Sequence, residues 1–132
     1  MRVGIAGYGV VGKKRYSSIV KNSSFKVTDI SEVNSIARKE IPNGINVFDN
    51  YQDLISQADL DVIFISLPNK YASDAVSLSL KKGLNVFCEK PPARTLEELL
   101  QVKEIYEKHP SQKLMYGFNH RFHLSIEEAK SI

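Results

Sequence analysis

Short runs of apolar residues alternate along this chain with longer stretches in which apolar residues recur every three or four positions. Short continuous apolar runs are typical of strands buried on both faces of a parallel sheet, and the longer pattern is typical of helices. The pattern predicts strands at residues 2–6, 25–29, 45–48, 62–67, 84–88 and 114–116. It predicts helices at residues 10–20, 32–39, 51–57, 72–82, 96–108 and 123–132.

The regular alternation of strands and helices predicts an α/β fold: a doubly wound parallel sheet of about six strands with helices on both faces. Right-handed crossovers give such a sheet the strand order 3-2-1-4-5-6, with the ligand cleft beside strands one and four. Two helix starts carry side chains suited to capping. Asn50 precedes the third helix, and Thr95 with Glu98 forms a capping box before the fifth.

The connection between the first strand and the first helix is rich in glycine. Its sequence is a G-x-G-x-x-G fingerprint, Gly7-Tyr8-Gly9-Val10-Val11-Gly12. In dinucleotide-binding folds of the Rossmann type, the first glycine makes a tight turn and the second lets a pyrophosphate approach the backbone. The third lets the helix pack closely on the strand, and the phosphates lie at the positive helix end. We expect these six residues to bind a dinucleotide, the alternative being a tight turn with no ligand.

An acidic residue near the end of the second predicted strand bears on the choice of dinucleotide. Asp29 lies 20 residues after Gly9, the spacing at which a carboxylate binds the adenosine ribose. A carboxylate there accepts hydrogen bonds from a 2′-hydroxyl and repels a 2′-phosphate, so NAD is favoured over NADP. The alternative for Asp29 is a loop residue or a helix cap.

Composition and charge exclude several classes of protein. The net charge is only +3, and the basic triplet Lys13-Lys14-Arg15 is interpreted as a solvated helix face, so we expect no nucleic-acid partner. Three scattered histidines and one cysteine, Cys88, lack the spacing of a zinc site, and we expect no metal. The apolar runs are too short to cross a bilayer. Cys88 is predicted to be a core residue of a cytoplasmic protein.

The fifth predicted strand ends in Glu89-Lys90-Pro91-Pro92, at the edge where open α/β sheets bind ligands. A lone lysine at a strand end is commonly solvated. Here two prolines restrict the backbone after Lys90, which favours a side chain held toward the cleft. Such a lysine could donate to a substrate hydroxyl or help to move its proton.

Four motifs together resemble the N-terminal half of the Gfo/Idh/MocA oxidoreductases, the family of glucose-fructose oxidoreductase and inositol dehydrogenase. They cover nearly the whole chain in the order Gly7-x-Gly9-x-x-Gly12, Pro68-Asn69, Glu89-Lys90-Pro91 and Gly117-Phe118-Asn119-His120-Arg121-Phe122. The resemblance implies hydride transfer between a nicotinamide and the CH–OH group of a sugar, cyclitol or nucleotide-sugar.

The resemblance also implies roles for individual residues. Lys90 would be the catalytic lysine that binds the reacting hydroxyl, and Glu89 and Pro91 would shape the nicotinamide end of the cleft. His120 and Arg121 would lie on the substrate side, although a solvated histidine is an equal alternative for His120. Cofactor contacts would come from the end of the fourth strand, at Leu67, Pro68 and Asn69.

Two departures from the family pattern limit these expectations. Many relatives carry a histidine where this chain has Ala72. Members normally continue into a second domain that supplies catalytic groups and often an oligomer interface. We therefore expect residues 1–122 to form the cofactor domain and 123–132 to begin a truncated second domain, so that the chain alone is catalytically incomplete. The alternative is a stand-alone module that binds or senses a dinucleotide, or pairs with another chain, without turnover. For partners, we expect a sugar-like small molecule, a homo-oligomer and no membrane.

Overall fold

A computed structural model describes residues 1–131, and within them six parallel strands form one sheet of order β3-β2-β1-β4-β5-β6. The predicted fold class and strand order are confirmed. The strands are β1 (Arg2–Ala6), β2 (Lys26–Ser31), β3 (Asn46–Phe48), β4 (Val62–Ile65), β5 (Asn85–Cys88) and β6 (Leu114–Tyr116). The helices are α1 (Val10–Ile19), α2 (Ser35–Arg38), α3 (Tyr51–Gln57), α4 (Asn69–Lys81), α5 (Leu96–Glu107) and α6 (Leu124–Lys130).

Alternate residues of the central strands pack into different cores on the two faces of the sheet. Val3 and Ile5 of β1 are fully buried in the core that includes Ile19 of α1. Ile63 and Ile65 of β4 belong to the other core, with residues of α3, α4 and α5. The continuous apolar runs of the sequence therefore reflect burial on both faces. No helix within residues 1–131 is long and apolar enough to span a membrane.

The second strand and second helix differ from their predicted bounds. Strand β2 runs on to Ser31, because Ile30 is fully buried and Ser31 pairs with Ala6 of β1 and Phe48 of β3. Helix α2 begins only after Asn34, whose side-chain oxygen accepts from two backbone N–H groups of the first turn. The strong capping preference of asparagine fixes that start.

The predicted caps are largely confirmed. Asn50 Oδ1 accepts from the backbone N–H of Asp53 at 2.7 Å, and α3 has its predicted bounds. Thr95 Oγ1 accepts from the N–H of Glu98 at 3.3 Å. The return bond differs from a capping box, because Glu98 Oε2 accepts from the N–H of Arg94.

The helices that follow β4 and β6 also differ from their predicted bounds. Helix α4 begins at Asn69, three residues before the predicted start, directly after Pro68. The predicted helix at residues 123–132 is α6, preceded by a 3-10 turn over Asn119–Phe122; its predicted last residue, Ile132, lies outside the described residues.

Candidate functional site

A cavity of about 620 Å³ opens at the carboxyl edge of the sheet. Its walls come from the turn after β1, the end of β2, the start of α3 and the segment from the end of β4 into α4. The lining residues are Gly7, Gly9, Val10, Val11, Ser31, Glu32, Val33, Asn50, Tyr51, Gln52, Ser66, Leu67, Pro68 and Tyr71. This is the switch point of the doubly wound sheet, where such folds bind ligands.

The three glycines of the turn after β1 meet different surroundings. Gly7 has φ +89°, and a Cβ there would lie 2.7 Å from the carbonyl oxygen of Ser66. A Cβ on Gly12 would lie only 2.0 Å from the carbonyl oxygen of Gly7, so α1 packs directly against the turn. At Gly9, by contrast, no atom of residues 1–131 lies within 4 Å of such a Cβ. The middle glycine therefore faces open space, as a backbone approached by a pyrophosphate requires.

Glu32 is the acidic residue at the carboxyl end of β2. Its side chain lines the cavity, and its carboxylate accepts from the N–H of Tyr8 at 2.6 Å and from that of Asn34 at 2.8 Å. These bonds hold the carboxylate against the glycine turn. Glu32 thus places a fixed carboxylate at the edge of the sheet where open α/β folds bind ligands.

Asp29 does not end β2, and the prediction that it does is wrong. It lies inside the strand, 5% exposed, and accepts from the side-chain amide of Asn46 at 2.9 Å. The pairing of β1 with β2 shifts register between Val3 and Gly4. Strand β2 therefore contains one residue more than the segment of β1 with which it pairs. The sequence signal that identifies Glu32 is its place directly after the strand.

Two tyrosines missed by the sequence analysis form another wall of the cavity. The rings of Tyr51 and Tyr71 lie 6.0 Å apart, and the hydroxyl of Tyr51 donates to Asp74 at 2.7 Å. Burial, followed by the hydrogen bond with Asp74, raises the pKa of Tyr51, which keeps the phenol protonated at neutral pH. This wall is aromatic, with polar hydroxyl groups at one end. Such a surface is suited to contact with an uncharged ring or a ribose.

The predicted cofactor residues are only partly brought together in this cavity. Residues of the glycine turn, with Leu67 and Pro68, line it. Several predicted residues lie outside the lining: Tyr8, Gly12, Asp29, Asn69, Glu89, Lys90 and Pro91. Of these, Tyr8 donates its backbone N–H to Glu32, and Gly12 packs against the backbone of Gly7.

A second cavity, of about 510 Å³, contains the predicted catalytic and substrate-side residues. It is lined by Lys90, Phe118, Asn119, His120 and Arg121. The end of β5 supplies the lysine, and the turn after β6 supplies the other four. The structure thus brings Lys90, His120 and Arg121 to one site. The peptide bond from Lys90 to Pro91 is cis.

Glu89 lines neither cavity and forms an ion pair with Arg15 of α1. The Arg15 guanidinium also lies over the Phe87 ring, 4.9 Å from its centroid. The side chains of Arg15 and Glu89 are 31% and 14% exposed. The interpretation of residues 13–15 as a solvated face is therefore wrong for Arg15, which joins α1 to the end of β5.

Cys88 is a core residue, as predicted. It is fully buried, and burial, followed by the nearby Glu89 carboxylate, raises the pKa of its thiol to about 12. A thiol with that pKa stays protonated and unreactive at neutral pH.

The glycine turn, the open space at Gly9 and the carboxylate of Glu32 fit the diphosphate and ribose of a dinucleotide, and together they define a dinucleotide-binding Rossmann domain. Comparison with known families agrees. Residues 1–118 match the Gfo/Idh/MocA model, described as an oxidoreductase family with an NAD-binding Rossmann fold. The chain belongs to this family.

Similar proteins include several sugar and cyclitol dehydrogenases. The chain is 28% identical to an inositol 2-dehydrogenase/D-chiro-inositol 3-dehydrogenase of Shouchella clausii, over 98% of this chain and 40% of that protein. It is 27% identical to a D-xylose 1-dehydrogenase (NADP(+)) of Haloferax volcanii, over 100% and 41%. The crystal structure of a Lactobacillus casei scyllo-inositol dehydrogenase with bound NAD(H) and scyllo-inositol superposes with TM-score 0.88 and 29% identity, over 99% and 40%. The chain thus spans about 40% of the length of these relatives.

Proposed function

We propose that the cavity of about 620 Å³ binds NAD, with the diphosphate at the glycine turn and the adenosine ribose at Glu32. One observation supports the proposal most strongly. Open space at Gly9 lies beside the carboxylate of Glu32, which is held in place by the N–H of Tyr8. A carboxylate accepts from both ribose hydroxyls and repels a 2′-phosphate, so NAD is preferred to NADP. In this assignment Glu32 takes the role expected of Asp29.

We propose further that the second cavity holds the CH–OH group of a sugar or cyclitol. The names of the relatives in this family support that substrate class. Bound nicotinamide would accept the hydride that leaves the carbinol carbon. Lys90 Nζ donates a hydrogen bond to the hydroxyl oxygen and assists loss of the hydroxyl proton, which passes to a general base expected from the second domain as the C–H bond breaks. Arg121 and Asn119 offer donors that orient neighbouring hydroxyls.

Residues 1–122 are proposed to be the cofactor domain and 123–132 the start of a second domain. Phe122 and Leu124 are 62% and 76% exposed, an apolar surface suited to covering by a second domain or a second copy. Turnover then requires groups from outside this chain, consistent with its share of the relatives' length. We expect the whole protein to work in the cytoplasm, where NAD and a reduced Cys88 coexist.

A two-stage NMR titration of the ¹⁵N-labelled chain tests this assignment. NAD is expected to shift the amide resonances of Gly9, Val10 and Glu32, with Asp59 at the opposite edge of the sheet as an internal control. Myo-inositol added to the NAD-saturated chain is then expected to shift Lys90 and His120. Shifts with NAD but none with the cyclitol would favour a binding module without turnover. An unchanged spectrum with NAD would contradict the whole proposal.

A further inference from the structure

An ion pair lies beside Glu32 at the end of the cavity proposed for the adenosine ribose. Arg38, the last residue of α2, places its Nη1 3.5 Å from the backbone carbonyl oxygen of Glu32. The same guanidinium pairs with the carboxylate of Asp49, which directly precedes the cavity residue Asn50. Arg38 therefore bridges two walls of the cavity, the end of β2 and the start of α3.

The guanidinium of Arg38 lies outside the cavity lining but approaches the backbone of Glu32, the residue beside which a 2′-phosphate would come in the proposed binding mode. In Rossmann folds an arginine near the end of β2 accommodates the 2′-phosphate of NADP, since a guanidinium matches phosphate geometry with two parallel N–H bonds. Here the Asp49 carboxylate already accepts from that guanidinium. A second cation near the turn, Lys13, is likewise paired, with Glu40 at 2.5 Å.

We propose that Asp49 is a specificity-determining residue: by pairing with Arg38 it withholds this guanidinium from the 2′-phosphate and so adds to the exclusion of NADP by Glu32. The inference rests on the proposed binding of NAD in this cavity. Selectivity for NAD over NADP would then have two causes. Glu32 repels the 2′-phosphate directly, and Asp49 keeps the Arg38 guanidinium from binding it.

The exposure of the two side chains makes this pair one that can be opened. Asp49 is 80% exposed in its side chain and Arg38 is 33% exposed. A solvent-exposed pair contributes little to folding, so removal of the carboxylate is expected to free Arg38 without unfolding the chain. The freed guanidinium is expected to stay beside the backbone carbonyl of Glu32, which it approaches to 3.5 Å in the unmodified chain.

The test compares Asp49→Asn with Asp59→Asn in the same chain. Asp59 also pairs with an arginine, Arg2, and its side chain is also 80% exposed, but the pair lies at the opposite edge of the sheet. Calorimetric titrations at low salt give the affinities for NAD and NADP. We expect Asp49→Asn to strengthen NADP binding by about tenfold relative to Asp59→Asn, with NAD affinity changed by less than about threefold.

A second background removes the direct repulsion. In Glu32→Ser the Asp49→Asn change is expected to give the same gain of about tenfold for NADP, and Arg38→Gln is expected to abolish it. If Glu32→Ser fails to fold by circular dichroism, the single variants still decide. Equal NADP affinities for Asp49→Asn and Asp59→Asn would overturn this inference. Absence of NAD binding by the unmodified chain would instead overturn the proposed function beneath it.

Discussion

The three glycines of the turn after β1 have different physical roles. At Gly12 the nearest atom to an added Cβ is a backbone carbonyl oxygen at 2.0 Å, and at Gly9 no described atom lies within 4 Å. Gly9 also has φ −70°, a value that any residue adopts. Gly12 is therefore needed by the fold, whereas Gly9 is needed only by the proposed ligand.

Alanine substitutions at these two glycines should separate stability from binding. Gly12→Ala is expected to lower the free energy of unfolding by about 3 kcal/mol, because its methyl group overlaps the backbone of Gly7. Gly9→Ala is expected to change stability by less than about 0.5 kcal/mol and to abolish NAD binding. Urea unfolding and calorimetry measure the two quantities. A Gly9→Ala chain that still binds NAD normally would show that the pyrophosphate lies elsewhere.

The carboxylate proposed to bind the ribose illustrates which parts of the site could be predicted from single residues. The spacing from Gly9 indicated an acidic residue near the end of β2, and such a residue is there, but it is Glu32 rather than Asp29. The count failed because the β1–β2 pairing contains an irregularity and β2 extends two residues further than expected. A bulge leaves no clear mark in the pattern of apolar residues.

At the scale of elements, the pair of Arg15 and Glu89 joins the helix after the glycine turn to the end of β5. Glu89 directly precedes Lys90, so α1 and the proposed catalytic lysine are held in one arrangement. Gly117 completes the packing, because a Cβ there would lie 3.0 Å from Glu89 Oε2. The contact spans 74 positions of sequence, which explains why no local pattern predicted it.

Loss of this contact should destabilise the domain. Arg15→Met leaves a carboxylate that is 14% exposed without its partner, and we expect a loss of about 1–3 kcal/mol in the free energy of unfolding. Lys103→Met is the matched control, since Lys103 pairs with Glu107 on the open surface of α5 at 3.6 Å. That change should cost less than about 0.5 kcal/mol. Equal costs for the two variants would mean that the Arg15 contact is only a surface pair.

Elements with strong local signals were predicted well, and those set by tertiary contacts were not. The cap at Asn50 fixes α3, and the apolar residues of β6 fix that strand. By contrast, β4 ends at Ile65 although its apolar pattern extends to Leu67, because Leu67 turns into the cavity wall. Helix α2 is too short for its apolar residues to show a period.

At the scale of the whole molecule, both cavities lie at the carboxyl edge of one sheet. One is built around the turn after β1, and the other around Lys90 and the turn after β6. The strand order alone places these segments on the same edge, because parallel strands all end there. This edge is proposed to bind a dinucleotide at the glycine turn and Glu32.

The most direct test is a calorimetric titration of the unmodified chain with NAD, with NADP in parallel. We expect one saturable site per chain for NAD and at least about tenfold weaker binding of NADP, because the Glu32 carboxylate repels the added phosphate. Equal affinity for both would contradict the role of Glu32. No heat of binding with NAD, from a chain shown to be folded, would contradict the claim that this cavity is a cofactor site.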